Sequence, residues 1–483
     1  MAAFRSAGEY HGHSRWSRVG AARNMTDSEL LALDRAHLIH PVSALRAHER
    51  RGATVLESGR GAWLRDRDGN ELLDAFAGLW CVNVGYGQQS VVQAAAEQMT
   101  RLPYATGYFD FASEPAIRLA ARLIELAPRS LRRVYFTMGG SDAIDSALRF
   151  ITYYCNAIGQ PERKQFISLQ RGYHGSSAMG SGVTGLPLFH RLFDLPLANQ
   201  HHIPSHYPYR NPVGQDPQAI IAASVASLRA KVAELGAARV AAFVCEPVQG
   251  SGGVIVPPPG WLRAMADTCR ELGILLLVDE VITGFGRTGP LFACESEGVQ
   301  PDLMTLAKGL TSGYAPMGAL LMSEAVYAGI ADGGGGAAVG HGHTYSAHPV
   351  SAAVGLEVLR LYLEGGLLAN AQRLAPAFAQ GLRGLLAHPL VGDARSRGLL
   401  GALELVADKG SKLSFAAALN LPERTARAGY RRGLVFRAFG DHILGFAPPL
   451  CCTDGDFEQL FARLRLTLDD LLAEREVRAA LTS

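Results

Sequence analysis

Two residues with complementary chemistry close two short apolar runs. "ILLLVDE" (274–280) carries Asp279 near its end, and "DLMTLA" (302–307) is followed at once by Lys308, 29 positions on (308 − 279). A third run, "VAAFVCE" (240–246), closes on Glu246. Taken singly, Asp279 reads as a helix or turn cap and Lys308 as a solvated surface residue. Taken together they suit one chemistry. Pyridoxal 5′-phosphate needs a lysine to form a Schiff base and a carboxylate to keep its pyridine nitrogen protonated, so that the ring can withdraw electrons from an adjacent carbanion.

That cofactor also needs an anion site. "FTMGGSDAIDSALRF" (136–150) runs from an apolar segment through Gly139, Gly140 and Ser141 into a helical pattern. Glycines let backbone amides come close, and a helix N-terminus favours negative charge. The pattern is neither a Walker loop nor GxGxxG, and Ser141 alone would be an ordinary N-cap. "GYHGSS" (172–177) offers Tyr173, an aromatic able to stack on a flat ring, although a lone tyrosine of this kind is as readily core.

These residues must be held by a scaffold. "RRVYFT" (132–137), "KQFISL" (164–169), 240–246, 274–280, 302–307 and "MGALLM" (317–322) read as strands covered on both faces, being continuously apolar rather than alternating. Helical patterns at 141–158, 217–235 and 260–272 lie between them. This alternation predicts an α/β fold with a mostly parallel sheet, and ligands in such sheets gather beyond the carboxyl ends of the strands. A meander over 54–76 around Asp68-Gly69 and further strands in 433–449 predict a small α+β domain built from both chain ends. The expected boundaries are a flexible extension at 1–30, small-domain residues 31–75, a large domain at 76–345 and the rest of the small domain at 346–483. "ADGGGGAAVGHGH" (331–343) reads as a flexible loop.

The whole chain narrows the options. It has 483 residues, 48% hydrophobic and 19% charged, with a formal net charge of +2, which provides no case for nucleic acid or an anionic membrane as partner. No apolar stretch is long enough to span a bilayer. The seven cysteines form no CxxC pair, which fits a reducing cytoplasm. Residues 1–30 contain Arg5, Arg15, Arg18 and Arg23 without an apolar h-region, which excludes a secretory signal. A frayed extension with Met25 as the start, or an organellar transit peptide, are the two readings left open.

Four segments, 136–150, "RGYHGSS" (171–177), "LLLVDEVITGFGRTGPLFACE" (275–295) and "PDLMTLAKGLTSGYAPMGA" (301–319), resemble class III pyridoxal-phosphate aminotransferases of fold type I, and "GLWCVNVGYG" (78–87) resembles the ω-amine:pyruvate transaminases among them. The likeness extends over nearly all the chain after about residue 35. It implies that Lys308 forms the Schiff base and shuttles the proton. It implies that Asp279 pairs with the pyridinium nitrogen, and that Val281 and Tyr173 cover the two ring faces. Gly139, Gly140 and Ser141 would hold the phosphate, with His174 and Glu246 in the same cofactor-binding set. Thr344 in "GHGHTYSAHPV" would reach the phosphate of the neighbouring subunit, which implies a homodimer, or a tetramer, with shared active sites. His341, His343 and His348 in this loop are not expected to bind metal, and none is expected elsewhere.

Departures from the family pattern bear on substrate. Members acting on γ-aminobutyrate or ornithine have a second glutamate in "EPxxGE"; here "CEPVQGSGG" places Ser251 there, and Ile282 stands where those members have glutamine. Leu79 and Trp80 are expected to line a more apolar pocket, and Arg437 in "FRAFGDH" to grip a keto-acid carboxylate bidentately, swinging out for the bare amine. A surface arginine is the alternative reading of that residue. The expected reaction moves an amino group from a primary amine to a keto acid, pyruvate, giving alanine and an aldehyde or ketone. A diamine (putrescine-type) transaminase, a mutase or decarboxylase of the same class, and a catalytically inert binding protein on this scaffold remain open.

Overall fold

The computed structural model describes residues 25–482, so the expectations for 1–24 lie outside the described residues. Packing divides the chain into a small unit, through Ser58 with Arg65–Asn70, and a large one, Gly59–Leu64 with Glu71 onward. In the small unit, helix Asp27–His37 begins with a capping box: Glu29 N–H donates to Thr26 Oγ1 and Thr26 N–H to Glu29 Oε2. A second helix, Leu45–Arg51, follows, and neither buries a residue. The expected 1–30 extension therefore overlaps a formed helix.

Strands β1 (Leu56–Arg60), β2 (Trp63–Asp66) and β3 (Glu71–Asp74) form the early meander. The central sheet follows with β4 (Leu131–Thr137), β5 (Gln165–Leu169), β6 (Gln200–Ile203), β7 (Val240–Cys245), β8 (Leu275–Asp279), β9 (Leu303–Leu306) and β10 (Gly318–Ser323). Its order is β4-β10-β9-β8-β7-β5-β6; β10 is antiparallel to both neighbours and the remaining pairs are parallel. All six expected strands are present. The apolar-run criterion missed β6, "QHHI", because it is a short and polar edge strand.

The apolar runs are continuous because both sheet faces are covered. On β7 and β8, Phe243, Cys245, Leu276 and Val278 join one core with Trp261, Met265 and Cys269 of helix Trp261–Leu272. The alternate residues Ala242, Val244 and Leu277 join a second core with Ile144, Ala147, Leu148 and Ile151 of helix Gly140–Ala157. Register then fixes chemistry. Cys245 pairs with Val278 and Asp279 with Thr305, so Glu246, Asp279 and Lys308 all emerge at one edge. Strand β4 delivers the Gly139–Ser141 turn to the same edge, since Ala319 faces both Phe136 and Leu306.

Beyond the sheet, β11 (Val391–Arg397) and β12 (Leu400–Leu405) precede β13 (Leu434–Val435), β14 (Arg437–Ala438) and β15 (Ile443–Phe446). An antiparallel sheet runs β11-β12-β15-β14, while β13 pairs in parallel with β3. The glycine-rich segment at 331–343 is not loop throughout: helix Glu324–Gly333 takes its first three residues. Among the described residues no helix is long and apolar enough to cross a membrane.

Candidate active site

At the sheet edge the acid is held by three donors. Asp279 is only 4% exposed. Its Oδ1 accepts from the Val281 amide at 3.0 Å and the Thr305 hydroxyl at 3.1 Å, while Oδ2 lies 2.9 Å from His174 Nδ1. An ionised carboxylate only accepts, so the imidazole presents Nδ1–H. His174 is itself fixed by its backbone N–H donating to Thr184 Oγ1. One side chain therefore sits behind the acid and orients it.

Glu246, one strand over, is equally buried. Its Oε1 accepts from Tyr173 N–H and its Oε2 from Gly250 N–H, each at 2.9 Å. Burial pushes this carboxyl up to about 7, against the lowering pull of His174. In position it ties the Tyr173 loop to the 249–253 loop. Glu280, next to Asp279, points elsewhere: it is fully buried, accepts from Cys294 N–H at 2.8 Å and from the Thr283 hydroxyl, and serves the scaffold.

Lys308 is half-buried in a left-handed backbone conformation, φ +43°. Burial lowers its ammonium below the usual lysine range, while Asp279 opposes that shift. The loop carrying Leu79 and Trp80 shares this strain: Ala77 and Trp80 have φ +47° and +56°. Non-glycine residues in this region each cost about 1–3 kcal/mol and cluster where the surroundings over-determine geometry. Trp80 is buried, whereas Leu79 is 51% exposed.

A run of ring contacts leads outward from the lysine. Lys308 Nζ lies 6.0 Å from the Trp80 ring centroid, Trp80 stacks on Phe439 at 6.2 Å, and Arg437 Cζ sits 5.5 Å above the Phe439 ring. Phe76, Val248 and Ile282 belong to the same apolar cluster as Trp80 and Phe439. Arg437 is exposed and makes no ion pair among the described residues. Ser251 is half-buried on the loop after Glu246, and a Cβ on its neighbour Gly250 would lie 2.5 Å from Ile282 Cδ1.

The Gly139–Ser141 turn is open. Helix Gly140–Ala157 has no side-chain cap, and a Cβ on Gly139 would meet nothing within 4 Å. On its other flank a Cβ on Gly140 would stand 2.9 Å from Val281 Cγ1, so Val281 lines the space between this turn and Asp279. Ser176 N–H donates to Ser141 Oγ at 3.2 Å, bringing the two loops together. Tyr173 lies beside Phe189 with ring centroids 5.1 Å apart. An acceptor for a cationic ring, an amine made less basic by burial and an uncapped helix start form a set that fits pyridoxal phosphate. Thr344 stands apart: it is exposed on its loop, its carbonyl accepts from the Tyr104 hydroxyl, and among the described residues no hydrogen bond joins it to the other candidates.

Sequence reasoning missed Arg287 and Asn83. Arg287 is fully buried and donates to Asn83 Oδ1 at 2.6 Å, and Asn83 Nδ2 donates to the Phe285 carbonyl. A Cβ on Gly309 would stand 2.7 Å from Asn83 Nδ2, so this amide packs against the turn that carries Lys308. "GFGRTG" (284–289) held the signal, an arginine inside a glycine loop following a buried strand.

Known proteins share this arrangement. The family model described as Aminotransferase class-III matches residues 45–468. The putrescine–pyruvate aminotransferase of Pseudomonas aeruginosa is 38% identical over 451 residues, covering 93% of this chain and 98% of that protein. A thermostable (S)-enantioselective ω-transaminase from Thermomicrobium roseum superposes with a TM-score of 0.90 at 39% identity, covering 92% and 99% of the two chains. The ω-transaminase of Pseudomonas jessenii in complex with PMP gives 0.89 at 37% identity, over 91% and 98%. With its parallel sheet, its buried aspartate and the lysine one strand away, this chain belongs to the class-III aminotransferases and is an enzyme of fold type I.

Proposed function

We propose that the protein is a pyridoxal-phosphate-dependent transaminase that moves an amino group from a primary ω-amine to pyruvate, giving alanine and an aldehyde or ketone. The observation that carries this reading is an apolar wall beside Lys308 that ends in the Arg437 guanidinium, which has no ionic partner among the described residues.

Bound at this edge, the cofactor supplies an electrophilic carbon and an electron sink. Asp279 holds the proton on the ring nitrogen, and His174 and Thr305 fix the carboxylate that does so. Val281 and Tyr173 bracket the ring. Gly139, Gly140 and Ser141 receive the phosphate at the uncapped helix start. With the cofactor bound, Lys308 Nζ, less basic than a surface lysine, would be the group that holds and moves the donor-carbon proton. Trp80, Leu79 and Phe439 cover the amine's apolar part. Arg437 forks onto the keto-acid carboxylate in the second half-reaction and turns outward in the first, because a bare amine offers it nothing. Two half-reactions on one site give ping-pong kinetics.

Thr344 is read as reaching the partner's phosphate, in a homodimer with shared active sites in the cytoplasm. The small-domain and large-domain boundaries at 31–75, 76–345 and 346–483 belong to the same reading. A diamine such as putrescine is the second reading, favoured by the Pseudomonas aeruginosa relative. Against it, neither Ser251 nor Ile282 offers a carboxylate to a second ammonium. The purified pyridoxal form, mixed with single amines, tests both: conversion to the pyridoxamine form is expected with 1-phenylethylamine. Faster conversion with putrescine would replace the first reading by the second, and no conversion with any amine would sink both.

A further inference from the structure

Within the chain, the two helices of the small unit bury no apolar residue. Their junction is polar. Asp34 lies in the last turn of helix Asp27–His37, His40 in the connection, and His48 on helix Leu45–Arg51. One ligand atom from each lies within 4.8 Å of the others. Asp34 Oδ1 is 2.6 Å from His40 Nε2, and Asp34 Oδ2 is 2.9 Å from His48 Nε2. The imidazole centroids are 4.3 Å apart.

The two contacts are not alike. The Asp34–His40 pair has hydrogen-bond geometry. Asp34 Oδ2 and His48 Nε2 face each other at 2.9 Å as a carboxylate–imidazole contact without the alignment of a hydrogen bond, and neither atom has another partner among the described residues. A polar atom withdrawn from water and left unpaired is costly, and native structures keep few of them. With its proton on Nδ1, His48 presents an Nε2 lone pair to the carboxylate, and a cation placed between the two satisfies both.

We propose that Asp34, His40 and His48 form a site for a zinc-class divalent ion that cross-links the two helices. Two imidazole nitrogens and one carboxylate oxygen leave a fourth position for water, the composition of an open tetrahedral site. Imidazole selects this metal class over magnesium or calcium, which take oxygen ligands. Metal–ligand distances of about 2.0–2.2 Å put tetrahedral ligand atoms about 3.3 Å apart, so the two carboxylate–imidazole contacts would open by less than about 1 Å, and all three ligand atoms already lie within 4.8 Å of one another. None of the three residues belongs to the transamination machinery, and the inference does not depend on the reading of that site.

The test uses untagged, full-length, cofactor-loaded enzyme, stripped with a chelator and titrated calorimetrically with zinc. The expected wild-type isotherm includes a site that His48→Ala and His40→Ala each weaken at least about tenfold. Zinc should also slow hydrogen exchange across 27–51 in wild type and not in the variants, while magnesium does neither. Unchanged amine-transfer rate and circular dichroism establish that the variants are folded; should His48→Ala misfold, His48→Gln replaces it. Identical isotherms for wild type and variants, no zinc binding by the wild type, or equal protection by magnesium would each overturn the proposal.

Discussion

The floor of the site and its mouth are built on opposite principles. At the floor, Asp279 and Glu246 are buried and their side chains accept from fixed donors. At the mouth, Leu79 and Arg437 are exposed, and the Arg437 guanidinium has no ionic partner among the described residues. The floor must keep one geometry while charge moves through it, and buried, satisfied polar groups do that because any rearrangement would strand one of them. The mouth must accept an amine and a keto acid in turn, so its cation cannot be locked in a salt bridge. Rigidity and openness are thus separated by a few residues of strained loop around Trp80 and Lys308.

Substitutions at the two levels should separate in size. Lys308→Ala removes the amine that moves the proton and is expected to lower the single-turnover rate by about 10⁴-fold or more; transfer at the wild-type rate would refute the whole reading. Asp279→Asn takes the charge from the floor. Losing one partner of a buried pair costs about 3–5 kcal/mol, hence a fall in kcat/KM of at least about a hundredfold at 1.36 kcal/mol per decade, together with weaker cofactor retention. Arg437→Ala acts only at the mouth. It should raise KM for pyruvate about tenfold, as expected for about 1.4 kcal/mol lost at an exposed site, and leave the amine half-reaction unchanged. An equal loss in both half-reactions would remove Arg437 from acceptor binding.

Glu246 sharpens the comparison through pH. Its carboxyl, near 4.5 in an unfolded chain, titrates at about 7 when folded. The native state then holds the extra proton between those values. The resulting stability is complete below about 4.5 and is lost as pH rises to about 7. Glu246→Gln should flatten the fall in thermal midpoint over that window; a slope identical to wild type would mean that the floor carries no such proton. The smallest effect belongs to Thr344→Ala, about 0.5–1.5 kcal/mol of cofactor affinity for one hydrogen bond, measured by equilibrium dialysis. Mixed dimers with Lys308→Ala subunits would show whether the loss follows the partner's site.

Much of the floor could be read from the chain because parallel strands leave their chemistry at one end. Apolar runs that stop on Glu246, Asp279 and just before Lys308 predict a shared edge, and register delivers it. β6 escaped for the converse reason: an edge strand covered on fewer sides tolerates "QHHI". The helix end at Gly333 is masked by glycines whose low propensity is overridden by helix packing; a Cβ on Gly333 would fall 2.3 Å from the Ala157 carbonyl.

The sequence by itself determined the sheet, the acid and lysine at its edge, and the absence of a carboxylate at 251 and 282, because these follow from local runs and residue identity. Tertiary structure alone decided that His174 stands behind Asp279, that Phe439 meets Trp80 from 359 positions away (439 − 80), that a buried Arg287 braces Asn83, and that Asp34 meets both His40 and His48. Such contacts join residues far apart in the chain or on separate elements. Their geometry is set by how whole layers pack, which no local pattern of residues encodes.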